Sequence, residues 1–378
     1  MDSLIPGLPD DVAKLCLARI PLHLYTTVRS VCRSWGQWLI DETGELAKMR
    51  RDAGLKGDQL FLLVCKSMYS ETQDGQENLG NYSHLPWLWN GRRYAKFSYR
   101  LARVEFDAAG QIVMEYVGDE LTCKLPFPYA KAFETMISIG RNLFLFRIGR
   151  DVWRCDTATG RWQQVATRNW YEKRFAWGVI KGQLYIAGGQ SHTAGGTSIS
   201  AEVYDLEKDK WSPLPTMPQV RGRSQGYITE EGKFLVFGTD SRSNIEPAAL
   251  IYDPDAIASG WSILENFWPF GGRLVGSAVA GKQLYVASEH GPAEFELRQF
   301  NGKAWRSLAC RGGEGVLNHC DALIALDGGL LSAGWSGDSS WLRAPLAGSV
   351  MRSGLAKLRH LERWTPAGEE IIVAAVGA

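Results

Sequence analysis

The chain has 378 residues, enough for two or three ordinary domains or for a small domain joined to a large β domain. Its 42 basic and 41 acidic residues give a formal net charge of +1, which excludes a general polyanion binder and disfavours nucleic acid as a partner. With 45% hydrophobic and 22% charged residues, the composition is that of a folded chain and not of a disordered one.

The compartment follows from three features of the chain. Residues 1–9 contain no basic segment followed by a long apolar run, so we expect no secretory signal peptide. The apolar run 60–65 is far shorter than the roughly 18 residues that cross a bilayer, so we expect no membrane contact. The seven cysteines are scattered and contain no Cys-x-x-Cys pair, which favours a reducing compartment, the cytoplasm or the nucleus.

A first helix is predicted immediately after the N-terminal turn. Pro9 suits the first helical position, and Asp10 and Asp11 complement the positive end of the helix dipole. Pro21 ends the helix. The apolar residues that share one face are Val12, Ala13, Cys16, Leu17 and Ile20.

A second apolar stripe predicts another helix over residues 28–39, with Leu24 on a short helix before it. The stripe comprises Val28, Val31, Cys32, Trp35 and Leu39. About forty helical residues bury too little surface to be stable alone. We therefore expect another protein to cover one apolar face, or else the following domain to do so.

From about residue 60, short apolar strands separated by turns recur at a long period. Successive turn glycines are 42, 50, 49 and 47 residues apart: Gly140, Gly182, Gly232, Gly281 and Gly328. A second marker, an aromatic residue and Asp followed by Trp, keeps the same phase. Trp162, Trp211 and Trp261 precede the next glycine by 20, 21 and 20 residues.

This pattern predicts an all-β propeller, because a repeat of about 50 residues with four strand-sized segments matches one blade. The phased tryptophans are expected to pack between blades and not to form a binding platform. The count is six blades, with five or seven left open, and the run 371–376 is expected to close the ring. The predicted domains are a helical module over 1–45, a linker over 46–58 and the propeller over 59–378.

A polar insertion is predicted at about residues 67–93, and it ends in Trp87 and Trp89. This tryptophan pair either anchors the insertion on the propeller or docks a partner.

Two patterns that carry chemistry in other proteins are weak here. The Gly-x-Ser-x-Gly match around Ser224 lacks the preceding strand and following helix of a hydrolase, so we do not expect a nucleophile. Cys310, His319 and Cys320 fit no zinc spacing. We therefore expect no catalytic residue, no metal and no cofactor.

Arginine recurs at one point of three successive repeats. Arg174, Arg223 and Arg273 each lie 12 residues after the phased tryptophan, whereas Leu317 holds that place in the next repeat. Equivalent positions face the same end of a propeller, so we predict a positive arc that binds an acidic or carboxylate-bearing partner surface. Alternatively, each arginine only ties its blade to a neighbour through backbone carbonyls.

Two sets of residues carry a family resemblance. The segments Leu8-Pro9-Asp10-Asp11-Val12, Cys16-Leu17-Ala18-Arg19-Ile20-Pro21 and Val31-Cys32-Arg33-Ser34-Trp35 resemble the F-box, a short helical module. The stretch from Val203-Tyr204-Asp205 through Trp211 to Pro218, with the strand after Gly232, is similar to kelch repeats. The ordered combination resembles the plant F-box/kelch-repeat proteins.

The resemblance implies a non-catalytic substrate receptor of an SCF-type, cullin-RING ubiquitin ligase. The F-box would bind the Skp adaptor, and the propeller would bind a protein destined for ubiquitination and degradation, such as a metabolic enzyme or a hormone-response regulator. The residues implied for adaptor docking are Leu8, Pro9, Cys16, Leu17, Ile20, Pro21, Leu24, Val31 and Trp35. The alternatives are a metal-dependent propeller enzyme or specifier, and a scaffold outside any ligase.

Overall fold

The fold is mostly β, with short helices near the N-terminus. The computed structural model describes residues 3–20, 28, 30–38, 49–50, 53, 59–69, 94–106, 112–126, 133–140, 142–147, 150–157, 159–170, 172–191, 197–239, 244–256, 260–280, 282–291, 294–308, 320–326, 329–336, 339–343 and 369–376. Across these segments, we find no helix of the length and apolar character needed to cross a membrane.

Two N-terminal helices are described, α1 (Asp10–Ala18) and α2 (Arg33–Trp38). Pro9 is the N-cap residue of α1, one position earlier than predicted. The prediction of a continuous helix over 28–39 is wrong. The Val31 amide donates to the Val28 carbonyl at 3.1 Å in a turn, and α2 begins only afterwards. The β-branched Val31 and the Ser30 before it are weak helix formers, which accounts for the break.

The strands follow in chain order from residue 59. The first seven are β1 (Gln59–Tyr69), β2 (Tyr94–Phe106), β3 (Ile112–Pro126), β4 (Phe133–Ile139), β5 (Asn142–Arg147), β6 (Val152–Asp156) and β7 (Arg161–Val165). The next ten are β8 (Glu172–Lys173), β9 (Ala176–Ile180), β10 (Gln183–Ala187), β11 (Gln190–Ser191), β12 (Ala201–Asp205), β13 (Lys210–Pro213), β14 (Gly222–Ile228), β15 (Phe234–Thr239), β16 (Ala249–Tyr252) and β17 (Trp261–Leu264). The last eight are β18 (Arg273–Ala280), β19 (Gln283–Gly291), β20 (Glu294–Phe300), β21 (Trp305–Leu308), β22 (Cys320–Leu326), β23 (Gly329–Ser336), β24 (Ser339–Arg343) and β25 (Glu369–Val376).

These strands form antiparallel sheets that are meanders of consecutive strands, as expected for propeller blades. We number the larger sheets along the chain. The first is β25-β1-β2-β3, the second β4-β5-β6-β7, the third β9-β10-β12-β13, the fourth β14-β15-β16-β17, the fifth β18-β19-β20-β21 and the sixth β22-β23-β24. The short strands β8 and β11 pair separately beside the third sheet.

The turn glycines lie where the repeat pattern predicts. Gly140, Gly182 and Gly232 each precede the second strand of a sheet and have φ values of 55°, 73° and 76°. Only glycine adopts this left-handed region without strain, which explains the repeated residue. The prediction is confirmed at these three positions, whereas Gly281 and Gly328 lie outside the described residues.

The first sheet joins the two ends of the β domain. β1 pairs with β25 from Gln59 opposite Val376 to Lys66 opposite Glu369. The prediction that the last strand closes the ring is confirmed. β1 extends to Tyr69, so residues 67–69 are strand and not part of the predicted insertion. Trp87 and Trp89 lie outside the described residues.

The core lies between neighbouring sheets, and between the second and fifth sheets the described residues form clusters of buried side chains. Between the second and third sheets the cluster includes Phe144, Phe146, Leu184, Tyr204 and Trp211. Between the third and fourth it includes Tyr185, Met217, Phe234, Val236 and Tyr252, with Trp261 packed against it. Between the fourth and fifth it includes Phe237, Phe267, Trp268, Leu284 and Phe300, with Trp305 packed against it.

Three tryptophans also tie each sheet to the preceding one. Their indole N–H groups donate to carbonyls just beyond the fourth strand of that sheet. The bonds are Trp211 to Ala166 at 2.8 Å, Trp261 to Pro215 at 2.7 Å and Trp305 to Phe267 at 2.6 Å. The prediction that phased tryptophans pack between blades is confirmed for Trp211 and Trp261, and Trp305 packs in the same way.

Candidate interaction surfaces

The N-terminal module is held together at both ends of α1. Asp10 accepts a hydrogen bond from the Leu4 amide at 2.9 Å, and the Trp35 indole donates to the Leu4 carbonyl at 2.6 Å. At the other end, the Arg50 guanidinium donates to the carbonyls of Ala18 at 2.6 Å and Ile20 at 3.0 Å. The bonds to Leu4 tie the preceding turn to α1 and to Trp35, whereas the Arg50 bonds satisfy carbonyls at the C-terminal end of α1 and place a cation at the negative end of its dipole.

One apolar stripe of this module stays in solvent. Leu8, Val12 and Leu15 have the spacing of a single helical face and are 38%, 38% and 39% exposed. The opposite face is buried through Ala13 and Leu17, which are at most 1% exposed. An exposed apolar stripe on a module with its own core is a candidate docking surface.

The structure divides the residues predicted for adaptor docking. Exposed in the described chain are Leu8, Pro9, Cys16 and Val31, whereas Leu17 is buried and Ile20 and Trp35 are half-buried. Pro21 and Leu24 lie outside the described residues. Of the apolar residues predicted to share one face of α1, Ala13 and Leu17 are buried, whereas Val12 and Cys16 are exposed. Val12 and Leu15 are exposed beside Leu8 and were not among the residues predicted for docking, although their four- and seven-residue spacing from Leu8 was visible in the sequence.

The arginines of the predicted arc are not fully equivalent. The pair Ala176 and Ala187 in the third sheet corresponds to the pair Gln225 and Phe237 in the fourth. Arg174 and Arg223 each lie two residues before this pair. Arg273 lies three residues before the matching pair, Gly276 and Ala287, and is itself paired with Glu289, whereas Arg223 lies inside a bulge of β14 between Gly222 and Gln225. Equal spacing in sequence therefore overstated the equivalence of the third arginine.

The surroundings of the arginines differ in the same way. Arg174 and Arg223 adopt the left-handed region, with φ values of 53° and 40°. Arg273 instead forms an ion pair with Glu289, the residue opposite it on β19. Left-handed backbone in a non-glycine residue is strained and persists only where its surroundings fix it.

Ser224 supplies that fixation between the third and fourth sheets. Its amide donates to the Arg174 carbonyl at 2.7 Å, and its hydroxyl donates to the Arg221 carbonyl at 2.7 Å. The hydroxyl also accepts from the Gly189 amide at 2.9 Å. Ser224 is 2% exposed and lies within a strand, so its hydroxyl serves as a structural connection.

A buried polar cluster lies beside these residues, between the second and third sheets. Glu202 is 1% exposed, and its Oε2 accepts from the backbone and side-chain N–H groups of Asn169, both at 3.0 Å. Burial raises the pKa of Glu202. Its Oε1 has no hydrogen-bond partner in the described part of the chain. The adjoining cavity of about 10 Å³ has room for one water and not for a substrate-sized ligand.

Nucleophiles and metal ligands are dispersed. Burial raises the pKa of the Cys155 thiol to about 12, which makes it unreactive. Cys16 and Cys32 are exposed, and a hydrogen bond with Ser34 lowers the pKa of Cys32. Within the segments that the structure describes, no three His, Cys, Asp or Glu residues are grouped so as to hold a metal ion. Cys310 and His319 lie outside those segments.

The comparisons with known proteins match this architecture. The family model for the Kelch motif matches residues 173–218, which span the whole third sheet. An F-box/kelch-repeat protein of Arabidopsis thaliana is 30% identical over 311 residues, covering 76% of this chain and 72% of the relative. The chain belongs to the F-box/kelch-repeat proteins. The resemblance seen in the sequence is thereby confirmed.

Other F-box/kelch-repeat proteins of the same plant agree. SKIP20 is 27% identical, covering 71% of this chain and 68% of its own length, and SKIP30 is 26% identical, covering 82% and 77%. The solved structure of YjhT aligns with a TM-score of 0.43 at 16% identity, covering 55% of this chain and 75% of that chain. In this chain, one described surface is the exposed apolar stripe of the N-terminal module, and the other lies on the arginine-bearing loops of the β-sheets.

Proposed function

We propose that this F-box/kelch-repeat protein is the substrate-recognition subunit of an SCF-type ubiquitin ligase. Its F-box module binds the Skp adaptor, and through it the cullin-RING ligase, while a six-bladed propeller holds a target protein. The receptor acts in the cytoplasm or the nucleus without a catalytic residue or cofactor of its own. Tethering suffices for this role, because it raises the effective concentration of the target beside the ligase.

The exposed stripe of Leu8, Val12 and Leu15 carries the proposal. Their side chains are more than a third exposed, although the module closes its own core around Leu17. A partner groove that receives an amphipathic helix recognises this kind of spacing. Cys16 and Val31, both exposed, extend the surface that we assign to the adaptor.

The target side of the proposal rests on the loops beside the third and fourth sheets. Arg174 and Arg223 support it, because they share one structural position. Arg273 contributes less, since Glu289 already neutralises its charge. The target itself is not specified by these residues.

The adaptor assignment is tested with the double variant Leu8→Ala/Leu15→Ala. We expect its affinity for a purified Skp adaptor, measured by calorimetry, to fall at least about tenfold, because central apolar contacts dominate such interfaces. The matched control is Ile263→Ala, which truncates an apolar side chain of 43% exposure on β17. Wild-type affinity in a double variant that melts at the normal temperature would refute the assignment.

A further inference from the structure

The two ends of the third and fourth sheets differ in chemistry. We call the end with the tight turns the turn end, and the end where one sheet connects to the next the loop end. At the turn end, exposed charges are paired across sheets: Lys181 with Asp255 at 2.8 Å, and Lys282 with Glu230 at 3.2 Å. Ion pairing between neighbouring sheets leaves this end balanced in charge at these positions.

The loop end instead exposes large apolar side chains on three successive segments. Trp170, Ile199 and Val220 are 44%, 43% and 43% exposed. An antiparallel bridge between Ser198 and Arg221 places Ile199 opposite Val220. We call these three residues the apolar patch.

Hydrogen bonds connect the Trp170 segment to the same surface. Asn169 donates to Glu202 at 3.0 Å, and Glu172 accepts from Ser198 at 3.0 Å. Asn169 and Glu172, which flank Trp170, are thus hydrogen-bonded to Glu202 and Ser198, which lie on either side of Ile199. The three apolar side chains therefore belong to adjacent segments and are not scattered singly.

The patch is built on a rigid base. The buried Ser224 bonds to Arg174, Gly189 and Arg221, which lie on the three segments or directly beside them. Arg168 is 2% exposed, and its guanidinium stacks 5.2 Å from the ring of Phe175. A surface that is already ordered loses little conformational entropy when a partner binds.

We propose that the apolar patch binds an extended segment of the target protein that carries apolar side chains next to a carboxylate. The patch receives the apolar side chains, and Arg174 and Arg223, on the flanking segments, receive the carboxylate. This inference rests on the proposed function, in which the propeller holds the target. Trp and Arg are the residues that most often dominate binding at such surfaces.

Charge decides between a target and a second copy of this chain. In a symmetric dimer both partners bring the same surface, so the interface would contain two copies of Arg174 and of Arg223. Like charges at an interface cost several kcal/mol. A partner segment with a carboxylate satisfies both the apolar patch and the arginines.

The test uses the full chain and a displayed library of random peptides of about twelve residues. We expect the selected peptides to carry Asp or Glu close to aromatic or aliphatic residues. In fluorescence anisotropy, Ile199→Ser/Val220→Ser and Arg174→Glu should each weaken the best peptide at least about tenfold. Ile263→Ser, with its equally exposed side chain on β17, should leave the affinity unchanged. Trp170→Ala provides a second patch variant on a connecting segment.

Three results would overturn the proposal: selection of no peptides or of basic ones, wild-type affinity in folded patch variants, or a solution dimer that the patch variants abolish. Skp adaptor binding is measured on the same proteins and should not change in the patch variants. If the wild-type chain binds the selected peptides but not the adaptor, the result contradicts the proposed ligase function and still supports peptide binding by the apolar patch.

Discussion

Glu202 shows how a single residue couples the second and third sheets. Its carboxylate is almost fully removed from water, and only one of its oxygens accepts hydrogen bonds from Asn169. Burial penalises the charged form of a carboxylate more than the two donors compensate, which raises the pKa of Glu202. Its partner Asn169 directly precedes Trp170 in the chain. The protonation of Glu202 therefore affects the loop end.

We expect Glu202→Gln to change how stability depends on pH. Because the pKa of Glu202 is raised, the folded chain binds its proton more tightly than the unfolded chain, whose pKa is about 4.3. This contribution is fully present below the unfolded pKa and is lost as pH rises through the folded pKa. The melting temperature of the variant relative to wild type should therefore rise as the pH increases above the unfolded pKa of Glu202.

The melting temperatures of both proteins are measured at a series of pH values below and above the unfolded pKa of Glu202. Glu207→Gln is the control, because Glu207 is an exposed carboxylate in the turn that follows the same strand. A constant difference between wild type and Glu202→Gln would show that this carboxylate does not titrate differently on folding.

At the scale of elements, the sheets depend on the tie between each tryptophan and the sheet before it. Ala166 is bound on both sides by the third sheet: its amide donates to Asp209 at 2.8 Å, and its carbonyl accepts from the Trp211 indole at 2.8 Å. Tyr204 donates to the same Asp209 at 2.6 Å. One turn therefore fixes the exit of the preceding sheet.

We predict that Trp211→Phe lowers the free energy of unfolding by about 1–3 kcal/mol, because it leaves the Ala166 carbonyl without its donor while keeping an aromatic ring in the core. Denaturant unfolding measures the change. Trp170→Phe is the control, since Trp170 is 44% exposed. Equal losses in the two variants would show that the indole tie is not the cause.

The repeat pattern predicted the turns and the packing between sheets, because each of them requires a particular residue type at one position of the repeat. A left-handed turn requires Gly182 or Gly232, and a shared packing position requires Trp211 or Trp261. Glu202 was also readable in principle, because it lies two residues before the buried Tyr204 on β12. Such alternation places both on one face.

The loop end could not be predicted in the same way. Ile199 and Val220 are separated in sequence, and only the bridge between Ser198 and Arg221 brings them together. Arg223 lies inside a β-bulge of β14 and Arg273 precedes a β-bulge of β18, and such bulges shift register without a sequence signal. The helical period predicted the apolar stripe of α1 but not which of its residues are buried, because the period does not say which side of the stripe meets the core.

At the scale of the whole molecule, the ring depends on β25. This strand is the inner member of the first sheet and pairs with β1 over residues 369–376. Its neighbours along the ring are the inner strands of other sheets, which pack against it without ladder bonds. Stability of the first sheet therefore depends on residues from opposite ends of the β domain.

We predict that Val373→Pro/Ala374→Pro opens the first sheet. Consecutive residues of an antiparallel strand alternate in direction, so one of the two prolines removes a donor to β1 and leaves a carbonyl of β1 without its ladder hydrogen bond. Hydrogen exchange should accelerate in β1 (Gln59–Tyr69). The control Ser262→Pro/Ile263→Pro, on the outer strand β17, should affect the fourth sheet only. Unchanged exchange in β1 would contradict this dependence.

The pairing of β1 with β25 also sets an order of events during synthesis. At a translation rate of roughly 5–20 residues per second, β1 leaves the ribosome roughly 15–60 s before its inner partner is made. During that interval β1 is an unpaired edge that presents an apolar run, Leu60 to Cys65, to other nascent chains. The ring thus closes only after β25 is released, and β1 must stay shielded, in the cell, until then.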